Sequence, residues 1–300
     1  MTDRLSPLAS PAATREVLEA HGLATKHALG QNFLINDHIL QKIIDLAEVN
    51  EADTVLEVGP GIGTLSIALL KHAGSVIAIE RDADLPAVLA ETLAPWREKF
   101  SLIEKDALDV VAVDLPAKPN KFVSNLPYAV AATVVLDYFQ SFASIESATV
   151  MVQKEVADRM SAKPGTKDYG AYTLKLSLYA EPVGRFPVGP NNFFPPPRVD
   201  SAVIRLNRIR PCDANGTPLT PEQIADACLW ADAAFTNRRK TIANSCKTYF
   251  ASRGPEGAAL VANLPAIFEQ AEIDPRRRGE TLTTDDLIRL MFAAMKIDNA

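Results

Sequence analysis

Two patterns of hydrophobic and polar positions alternate along the chain between residues 54 and 153. Short runs of apolar residues, typical of buried strands, are followed by apolar residues at helical spacing. Strands are predicted at 55–58, 76–80, 101–105, 121–124 and 148–153, and helices at 63–72, 85–93, 131–140 and 154–162. This alternation is typical of an α/β fold, a Rossmann-like parallel sheet with helices on both faces.

The residues before this region carry the signals of helix ends. Ser10 followed by Pro11 predicts a helix start, and Gly22 predicts where that helix stops. Asn36 or Asp37 predicts the cap of a second helix. The segment between the two helices has neither a helical nor a strand period, so it is either a plain linker or a segment that lies across a ligand.

The residues after the alternating region predict a change of domain. A helix is predicted at 172–179, a stiff proline-rich loop at 186–197, a strand at 201–206, a linker at 211–218, and helices at 221–235, 238–250, 256–263 and 284–296. We therefore expect an N-terminal extension of residues 1–25, a catalytic α/β domain of residues 26–207, and a small all-α domain of residues 208–300.

Composition and charge narrow the class of protein. The chain of 300 residues is 47% hydrophobic and 23% charged, which is ordinary for a globular protein. No apolar run approaches the roughly 20 residues of a membrane helix, and the first ten residues lack a secretory signal, so a cytoplasmic location is expected. The three cysteines have no metal spacing, and we predict inert thiols and no metal site.

The net charge of −6 argues against a strong general affinity for nucleic acid. Residues 208–300 nevertheless hold 12 basic and 12 acidic side chains, so the predicted helical domain is relatively basic. Its basic residues cluster at 238–240 and at 276–278. Such triplets are usually solvated, but here a surface for RNA phosphates formed by Arg238, Arg239 and Lys240 is an equally good hypothesis.

Residues 54–65 predict a nucleotide-binding corner, in which a strand turns through Gly59, Gly61 and Gly63 into a helix. A dinucleotide is disfavoured because the third glycine of its fingerprint would fall on Thr64, and because Glu57 would repel a pyrophosphate. A ligand that carries an ammonium group would be attracted by that carboxylate. The corner therefore predicts S-adenosylmethionine and a methyltransferase.

Polar residues end four predicted strands of the sheet, at Glu57, Glu80, Asp106 and Asn125. Ligands of such sheets bind beyond the carboxyl ends of the strands. Glu80 is spaced to hold the ribose hydroxyls, and Asp106 can accept a hydrogen bond from the adenine amino group. Any one of them alone would be read as a solvated acid, but together they favour a nucleoside site.

The motif Asn125-Leu126-Pro127-Tyr128 predicts methyl transfer to an exocyclic amino group. The lone pair of such a nitrogen is delocalised into the ring, so catalysis requires two acceptors that hold its N–H bonds and orient it. The Asn125 side chain and the Leu126 carbonyl, held by Pro127, are the candidates, and Tyr128 offers a face for a flipped base. The structural alternative is an ordinary type I turn.

The proline-rich loop carries a second candidate aromatic. Phe193 lies on this stiff segment, where it either plugs the core or forms a second wall for the base, opposite Tyr128.

These motifs together resemble the ribosomal RNA adenine N6,N6-dimethyltransferase family, specifically the small-subunit enzyme whose loss gives kasugamycin resistance. The similarity runs from about Lys26 to Leu290. The matching segments are Leu29-Gly-Gln-Asn-Phe-Leu34, Glu57-Val-Gly-Pro-Gly-Ile-Gly63, Asn125-Leu-Pro-Tyr128, Phe193-x-Pro-Pro-Pro-x-Val-Asp-Ser201, Phe235-Thr-Asn-Arg-Arg-Lys-Thr241 and Arg278-Gly-Glu-Thr-Leu282.

The resemblance implies a cofactor, a substrate and a set of contacts. The cofactor would be S-adenosylmethionine, held by residues that fall on Asn32, Leu34, Gly59, Glu80, Asp106 and Asn125. The base would stack on Tyr128 and Phe193. The substrate would be two adjacent adenosines in a hairpin near the 3′ end of 16S rRNA, each methylated twice inside the immature 30S subunit during small-subunit biogenesis. We expect a monomer. The extension of about 25 residues is longer than the family leads us to expect, and Gly279 stands where proline is usual.

Three alternatives stay open from the sequence. The 23S rRNA methyltransferases of macrolide resistance share the fold and an Asn-x-Pro-aromatic motif, but the long C-terminal region favours the small-subunit enzyme. A DNA adenine methyltransferase would usually carry Asn-Pro-Pro-Tyr and a target-recognition domain. A non-catalytic RNA-binding assembly factor would not need the intact Asn125.

Overall fold

The computed structural model describes residues 4–25 and 30–298, which divide into two compact units. The first unit comprises Met1–Ala157 and Pro182–Arg208, and the second comprises Asp158–Glu181 and Ile209–Ala300. The segment 158–181, which the sequence analysis assigned to the α/β domain, therefore groups with the C-terminal helices. Residues 26–29, where the expected catalytic domain begins, lie outside the described residues.

The described residues form helices and strands close to those expected from sequence. The strands are β1 Phe33–Leu34, β2 Thr54–Val58, β3 Ser75–Glu80, β4 Phe100–Glu104, β5 Lys121–Asn125, β6 Ser147–Gln153, β7 Ala180–Val188, β8 Phe193–Phe194 and β9 Ser201–Arg208. The helices are α1 Pro11–Ala20, α2 Asp37–Ala47, α3 Thr64–Leu70, α4 Leu85–Thr92, α5 Ala131–Ser141, α6 Lys154–Met160, α7 Ala171–Leu176, α8 Pro221–Phe235, α9 Ile242–Ala251, α10 Gly254–Gln270 and α11 Thr284–Asp298.

Seven of the strands form one sheet in the order β4-β3-β2-β5-β6-β9-β7. The strands from β4 to β6 are parallel, as predicted. The sequence predicts the strand after the proline-rich loop but not its direction, and in the structure this strand, β9, runs antiparallel to β6 with Gln153 opposite Ser201. The direction of a strand leaves no trace in its hydrophobic pattern, and therefore only the structure reveals it.

Strand β7 has no counterpart among the predicted elements, and its last residues fall in what the sequence analysis treated as an irregular loop. Pro182 and Pro187 both lie in this strand. Because β7 is the outermost strand of the sheet, it pairs with a neighbour on one side only, and proline is tolerated there more readily than in a central strand. Proline-rich composition therefore excludes a central strand but not an edge strand.

The two predicted helix caps at the N-terminus are confirmed. The Ser10 hydroxyl accepts a hydrogen bond from the Ala13 N–H at 3.2 Å, and the Asn36 side chain accepts one from the His38 N–H at 3.0 Å. Leu18 of α1 is buried in the core of the first unit. The N-terminal extension is thus an integral part of that unit.

Helices cover both faces of the sheet. Side chains along a strand alternate between the two faces, and the strands carry apolar residues on both, so each face packs against helices. On one face, Val55 and Val123 join a core with residues of α1, α2, α3 and α4. On the other face, the ring of Phe122 lies 5.2 Å from that of Tyr138 in α5.

The second unit has its own core, built on α8. The rings of Trp230 and Phe250 meet edge to face at 5.0 Å, and Leu174 of α7 is fully buried among these helices. Helix α10 continues past Pro265, so the helix predicted to end at 263 is longer than expected. Helix α9 begins at Ile242 rather than at 238, which leaves the first basic triplet in a turn.

Candidate active site

The glycine corner follows β2 and has the backbone geometry that the sequence predicts. Gly59, Gly61 and Gly63 have φ values of +70°, +61° and +92°, which L side chains rarely adopt. A Cβ atom on Gly61 would lie 2.9 Å from Cε1 of Phe33. The corner therefore needs glycine both for its turn and for the ring that packs against it.

A cavity of about 330 Å³ lies at the carboxyl ends of the strands, beside the glycine corner. The structure brings every residue that was assigned to the cofactor to its wall. These are Asn32, Leu34, Glu57, Gly59, Gly61, Glu80, Asp106 and Asn125, and they are joined there by Leu126, Pro127 and Tyr128. Residues that are up to 96 positions apart in sequence thus meet in one place, as the topology of a parallel sheet requires.

Glu80 ends β3 and is 8% exposed. Its Oε1 accepts hydrogen bonds from the backbone N–H groups of Arg81 and Asp82, at 2.9 and 2.8 Å. Burial raises the pKa of this carboxyl, while the backbone N–H groups oppose that shift. The backbone thus fixes the orientation of a carboxylate at the cavity wall.

Asp106 follows β4, which is the neighbour of β3 in the sheet, and it therefore lies beside Glu80 at the same edge. One of its oxygens accepts a hydrogen bond from the Leu108 N–H at 3.1 Å, and the other pairs with the Arg81 guanidinium at 2.9 Å. The Leu108 N–H, followed by Arg81, lowers the pKa of this carboxyl. Asp106 is therefore an anion at neutral pH, and each carboxylate oxygen retains a lone pair for a ligand.

Glu57 is expected from the sequence to be an ionised carboxylate at the end of β2, and the structure buries it. It is 1% exposed, and its Oε2 accepts a hydrogen bond from the Ser66 hydroxyl at 2.6 Å. Burial raises the pKa of the Glu57 carboxyl to about 8, and the neighbouring Glu80 adds to this shift. At pH 7 the protonated, neutral form of Glu57 is therefore favoured, because no cation among the described residues compensates the loss of solvent.

Asn125 ends β5 with its side-chain amide held in one orientation. The Asn125 Nδ2 atom donates a hydrogen bond to the backbone carbonyl of Asn32 at 3.2 Å. Within the described part of the chain, no donor contacts the Asn125 Oδ1 atom. The next residue is anchored as well, since the Leu126 N–H donates to the Met151 carbonyl at 3.0 Å. An amide oxygen is thus available as an acceptor at the cavity.

The structure does not bring Phe193 to the cavity wall. Phe193 is 2% exposed and lies in β8, opposite Leu34 of β1, where it belongs to the core. In this structure Phe193 therefore does not present its ring to a base at the cavity. Of the two roles considered for it from the sequence, the structure agrees with the hydrophobic core residue. An aromatic on a proline-rich loop carries no sequence signal that distinguishes the two.

Two further cavity residues, Gln31 and Phe33, belong to the unpatterned segment before α2, and the sequence assigned neither of them a role of its own. Phe33 packs on the glycine corner, and Gln31 donates a hydrogen bond from Nε2 to Asp82 at 2.7 Å. Asn32 lies between Gln31 and Phe33 in the sequence, and its backbone carbonyl accepts the hydrogen bond from the Asn125 side chain. Residues 30–34 therefore cross the cavity from the end of β3 to the end of β5. The alternative that this unpatterned segment lies across a ligand site agrees with these contacts.

The predicted RNA-binding triplet lies in the second unit, in the turn between α8 and α9. Arg238 donates a hydrogen bond to the Lys167 carbonyl and lies 3.9 Å from Glu280. Arg239 and Lys240 are exposed and make no ion pair with the described residues. A backbone bridge between Thr241 and Arg278 brings the second basic triplet next to the first.

The arginines of that second triplet are largely paired with acids. Arg276 binds Asp274 at 3.0 Å, and Arg277 binds Asp286 at 2.9 Å. Their charge is therefore compensated locally, and Arg239 and Lys240 are the better candidates for contact with phosphate.

The described residues contain no group of side chains that could hold a metal ion and no helix long and apolar enough to cross a membrane.

A mixed seven-stranded sheet with a glycine corner and a cavity at its carboxyl edge defines a Rossmann-like methyltransferase. The profile of the family described as Ribosomal RNA adenine dimethylase matches residues 22–288. The chain belongs to this family, and it is an rRNA adenine methyltransferase.

Named relatives agree with this assignment. "Ribosomal RNA small subunit methyltransferase A" of Geobacillus sp. is 38% identical over 297 residues, which cover 97% of this chain and 98% of the relative. The protein of the same name from Enterococcus faecalis is 38% identical over 303 residues, which cover 99% of both chains. Relatives therefore share the full length, and the expectation that the N-terminal extension is unusually long is wrong.

Solved structures show the same fold. A dimethyladenosine transferase from Plasmodium falciparum has a TM-score of 0.72 at 23% identity, covering 88% of this chain and 98% of that one. The 23S rRNA methyltransferase ErmE has a TM-score of 0.60 at 25% identity, covering 87% of this chain and 99% of that one.

Proposed function

We propose that this protein transfers methyl groups from S-adenosylmethionine to the N6 atoms of two adjacent adenosines in a hairpin near the 3′ end of 16S rRNA. Each adenosine would be methylated twice within the immature 30S subunit, as a step of small-subunit biogenesis. The observation that carries the proposal is the Asn125 amide, whose nitrogen is bound to Asn32 and whose oxygen is left as an acceptor at the cavity.

The cavity fits S-adenosylmethionine in the chemistry of its wall. The positive φ angles of Gly59 and Gly61 form a backbone cradle, and Gly61 has no room for a side chain. We propose that the Glu80 carboxylate holds the ribose hydroxyls and that Asp106 accepts a hydrogen bond from the adenine amino group. When bound, the donor supplies an electrophilic methyl group on a positively charged sulfur.

Glu57 suits the methionine end of such a donor. It lines the cavity and is neutral at pH 7 when no cation is near. An ammonium group at the cavity would favour the ionised form of Glu57 and would compensate the cost of its burial. We also assign Asn32 and Leu34, which cross the cavity above the glycine corner, to contact with the donor.

The target amine is oriented by the Asn125-Leu-Pro-Tyr128 motif. In our proposal the Asn125 Oδ1 atom and the Leu126 carbonyl each accept one N–H bond of the adenine N6 amino group. Pro127 stiffens the turn between them, and Tyr128 stacks on the base. The amine then presents its lone pair to the methyl group, and no strong base is needed because the proton is lost easily after transfer. Phe193 has no part in this proposal because it is buried.

The small-subunit substrate is favoured over the 23S alternative by the relatives. Proteins named small subunit methyltransferase A are 38% identical to this chain over nearly its full length, whereas ErmE is 25% identical. Arg239 and Lys240, with Arg238 as a support, are proposed to contact rRNA phosphates. We further propose that the protein acts in the cytoplasm as a monomer.

The proposal is tested by incubating the protein with S-adenosylmethionine and three substrates, which are immature 30S subunits from cells without the protein, 50S subunits, and naked 16S rRNA. Mass spectrometry of the digested RNA locates any N6,N6-dimethyladenosine. We expect two adjacent dimethylated positions near the 3′ end of 16S rRNA in the 30S sample. Methylation of the 50S sample instead would favour the 23S alternative, and no methylation of any sample would favour a non-catalytic assembly factor.

A further inference from the structure

Tyr128 makes one polar contact that the proposed chemistry does not account for. Its hydroxyl lies 2.6 Å from the Oγ atom of Ser201. Ser201 is fully buried, and Tyr128 lines the cavity. Burial raises the pKa of the Tyr128 phenol, so the contact joins two neutral hydroxyl groups.

This contact depends on the antiparallel direction of β9. Parallel strands bring their carboxyl ends to the cavity edge of the sheet, whereas an antiparallel neighbour brings its first residue there. Ser201 is that first residue, and it pairs with Gln153 at the end of β6. The order β5-β6-β9 means that the Tyr128 side chain crosses the end of β6 to reach Ser201.

The hydrogen bond fixes a torsion that the turn leaves free. A tyrosine ring that is held only at its Cβ atom can rotate about χ1 and χ2, whereas a ring whose hydroxyl is bound to a rigid strand keeps one plane. The strand is rigid here, because β9 pairs with β6 over seven consecutive positions from Ser147↔Asn207 to Gln153↔Ser201.

We propose that Ser201 is a positioning residue that holds the ring of Tyr128 in the plane on which the target adenine stacks. The proposal rests on the proposed function, since it concerns the base that would be methylated. Ser201 touches neither the donor nor the adenine. It acts through the Tyr128 hydroxyl, and its loss leaves a ring that presents the stacking face for only part of the time.

The test is a set of single and double variants assayed with immature 30S subunits. Ser201→Ala is expected to lower kcat about threefold to tenfold, the range that one hydrogen bond supports. Tyr128→Phe removes the same bond from the other side and should lower kcat by a similar factor. The double variant should be no slower than either single variant, because both changes remove the same interaction.

Three further measurements separate positioning from a general structural effect. Ser201→Thr keeps a hydroxyl at the site and should restore most of kcat. The Kd of S-adenosylmethionine, measured by calorimetry, should be unchanged in all variants. Ser147→Ala changes a buried serine at the opposite end of the same strand pair and should have wild-type kcat.

The outcomes distinguish this inference from the proposed function. If wild-type protein transfers no methyl group to the particles, the proposed function fails. If the wild type is active and Ser201→Ala equals it, or if the two single effects multiply in the double variant, Ser201 does not act through Tyr128. If Ser201→Ala does not fold, the kcat of Tyr128→Phe still tests the inference. A kcat of Tyr128→Phe equal to that of the wild type would overturn it.

Discussion

The side-chain nitrogen of Asn125 donates a hydrogen bond to the backbone carbonyl of Asn32, which lies 93 positions earlier in the chain. This contact joins the end of β5 to the segment that crosses the cavity. It decides which end of the amide is available, since a nitrogen that donates to Asn32 leaves the oxygen as the acceptor.

Asn125→Ala is expected to lower the rate of methyl transfer by about 100-fold or more, because it removes one of two acceptors that orient the amine. The Kd of S-adenosylmethionine should stay largely unchanged, because the Asn125 oxygen acts mainly on the target. Asn191→Ala, which changes an exposed asparagine of the same unit, is the matched control. Equal rates for Asn125→Ala and this control would remove Asn125 from the mechanism.

Glu57→Gln is expected to change how stability depends on pH. Burial raises the pKa of the Glu57 carboxyl from its ordinary value of 4.5 to about 8. Between these values the folded protein keeps a proton that the unfolded chain has lost, so the contribution of Glu57 to stability falls as pH rises through this interval. From pH 6 to pH 8 the free energy of unfolding of the wild type should fall by about 2 kcal/mol relative to Glu57→Gln.

Urea unfolding of the protein without ligand, at pH 6, 7 and 8, measures this difference. Glu98→Gln changes an exposed glutamate of the same unit and should follow the wild type at every pH. Parallel pH profiles for the wild type and Glu57→Gln would show that Glu57 is ionised when buried.

Gly61→Ala is expected to weaken the binding of S-adenosylmethionine as well as the fold. The new Cβ atom would meet the Phe33 ring at 2.9 Å in a backbone conformation with φ of +61°. Gly22→Ala carries a similar φ of +64° with nothing within 4 Å, and it should cost only the backbone strain of about 1–2 kcal/mol. If thermal unfolding shows equal losses and calorimetry shows equal cofactor affinities for both variants, the contact between Phe33 and the glycine corner has no role.

Replacing Arg239 and Lys240 with alanine is expected to weaken binding to immature 30S subunits and to flatten its salt dependence. The slope of log K against log salt should become shallower by about 1.4 to 1.8, since two phosphate contacts are lost. Arg238→Ala should change this slope less, because Arg238 already contacts Glu280 and the Lys167 carbonyl.

Filter binding at several salt concentrations gives the slope. The control variant replaces Arg97 and Lys118, two exposed basic residues of the first unit, and it removes the same charge. A slope that changes equally in both double variants would assign the effect to net charge alone.

The sequence allows the strands that carry the site to be predicted because their signals are local. A buried run followed by a turn marks the end of β2 with its glycines, and it also marks the end of β5 at Asn125. The helix caps at Ser10 and Asn36 can each be recognised from a single residue type at the start of a helix. Parallel topology then brings the strand ends together without any further information.

The features that were wrong or missed depend on contacts between distant residues. The direction of β9 and the edge position of β7 follow from pairing, which no single segment encodes. The burial of Phe193 results from its pairing with Leu34, and the neutral state of Glu57 results from the groups that pack around it. Each of these features depends on where a second, distant segment of the chain lies.

A crystal structure of the protein with S-adenosylmethionine tests the central claim most directly. We predict that the donor occupies the cavity beside the glycine corner, with its ribose hydroxyls on Glu80, its adenine amino group on Asp106 and its methyl group turned toward Asn125. A donor bound elsewhere, or a cavity left empty at saturating donor, would contradict the account.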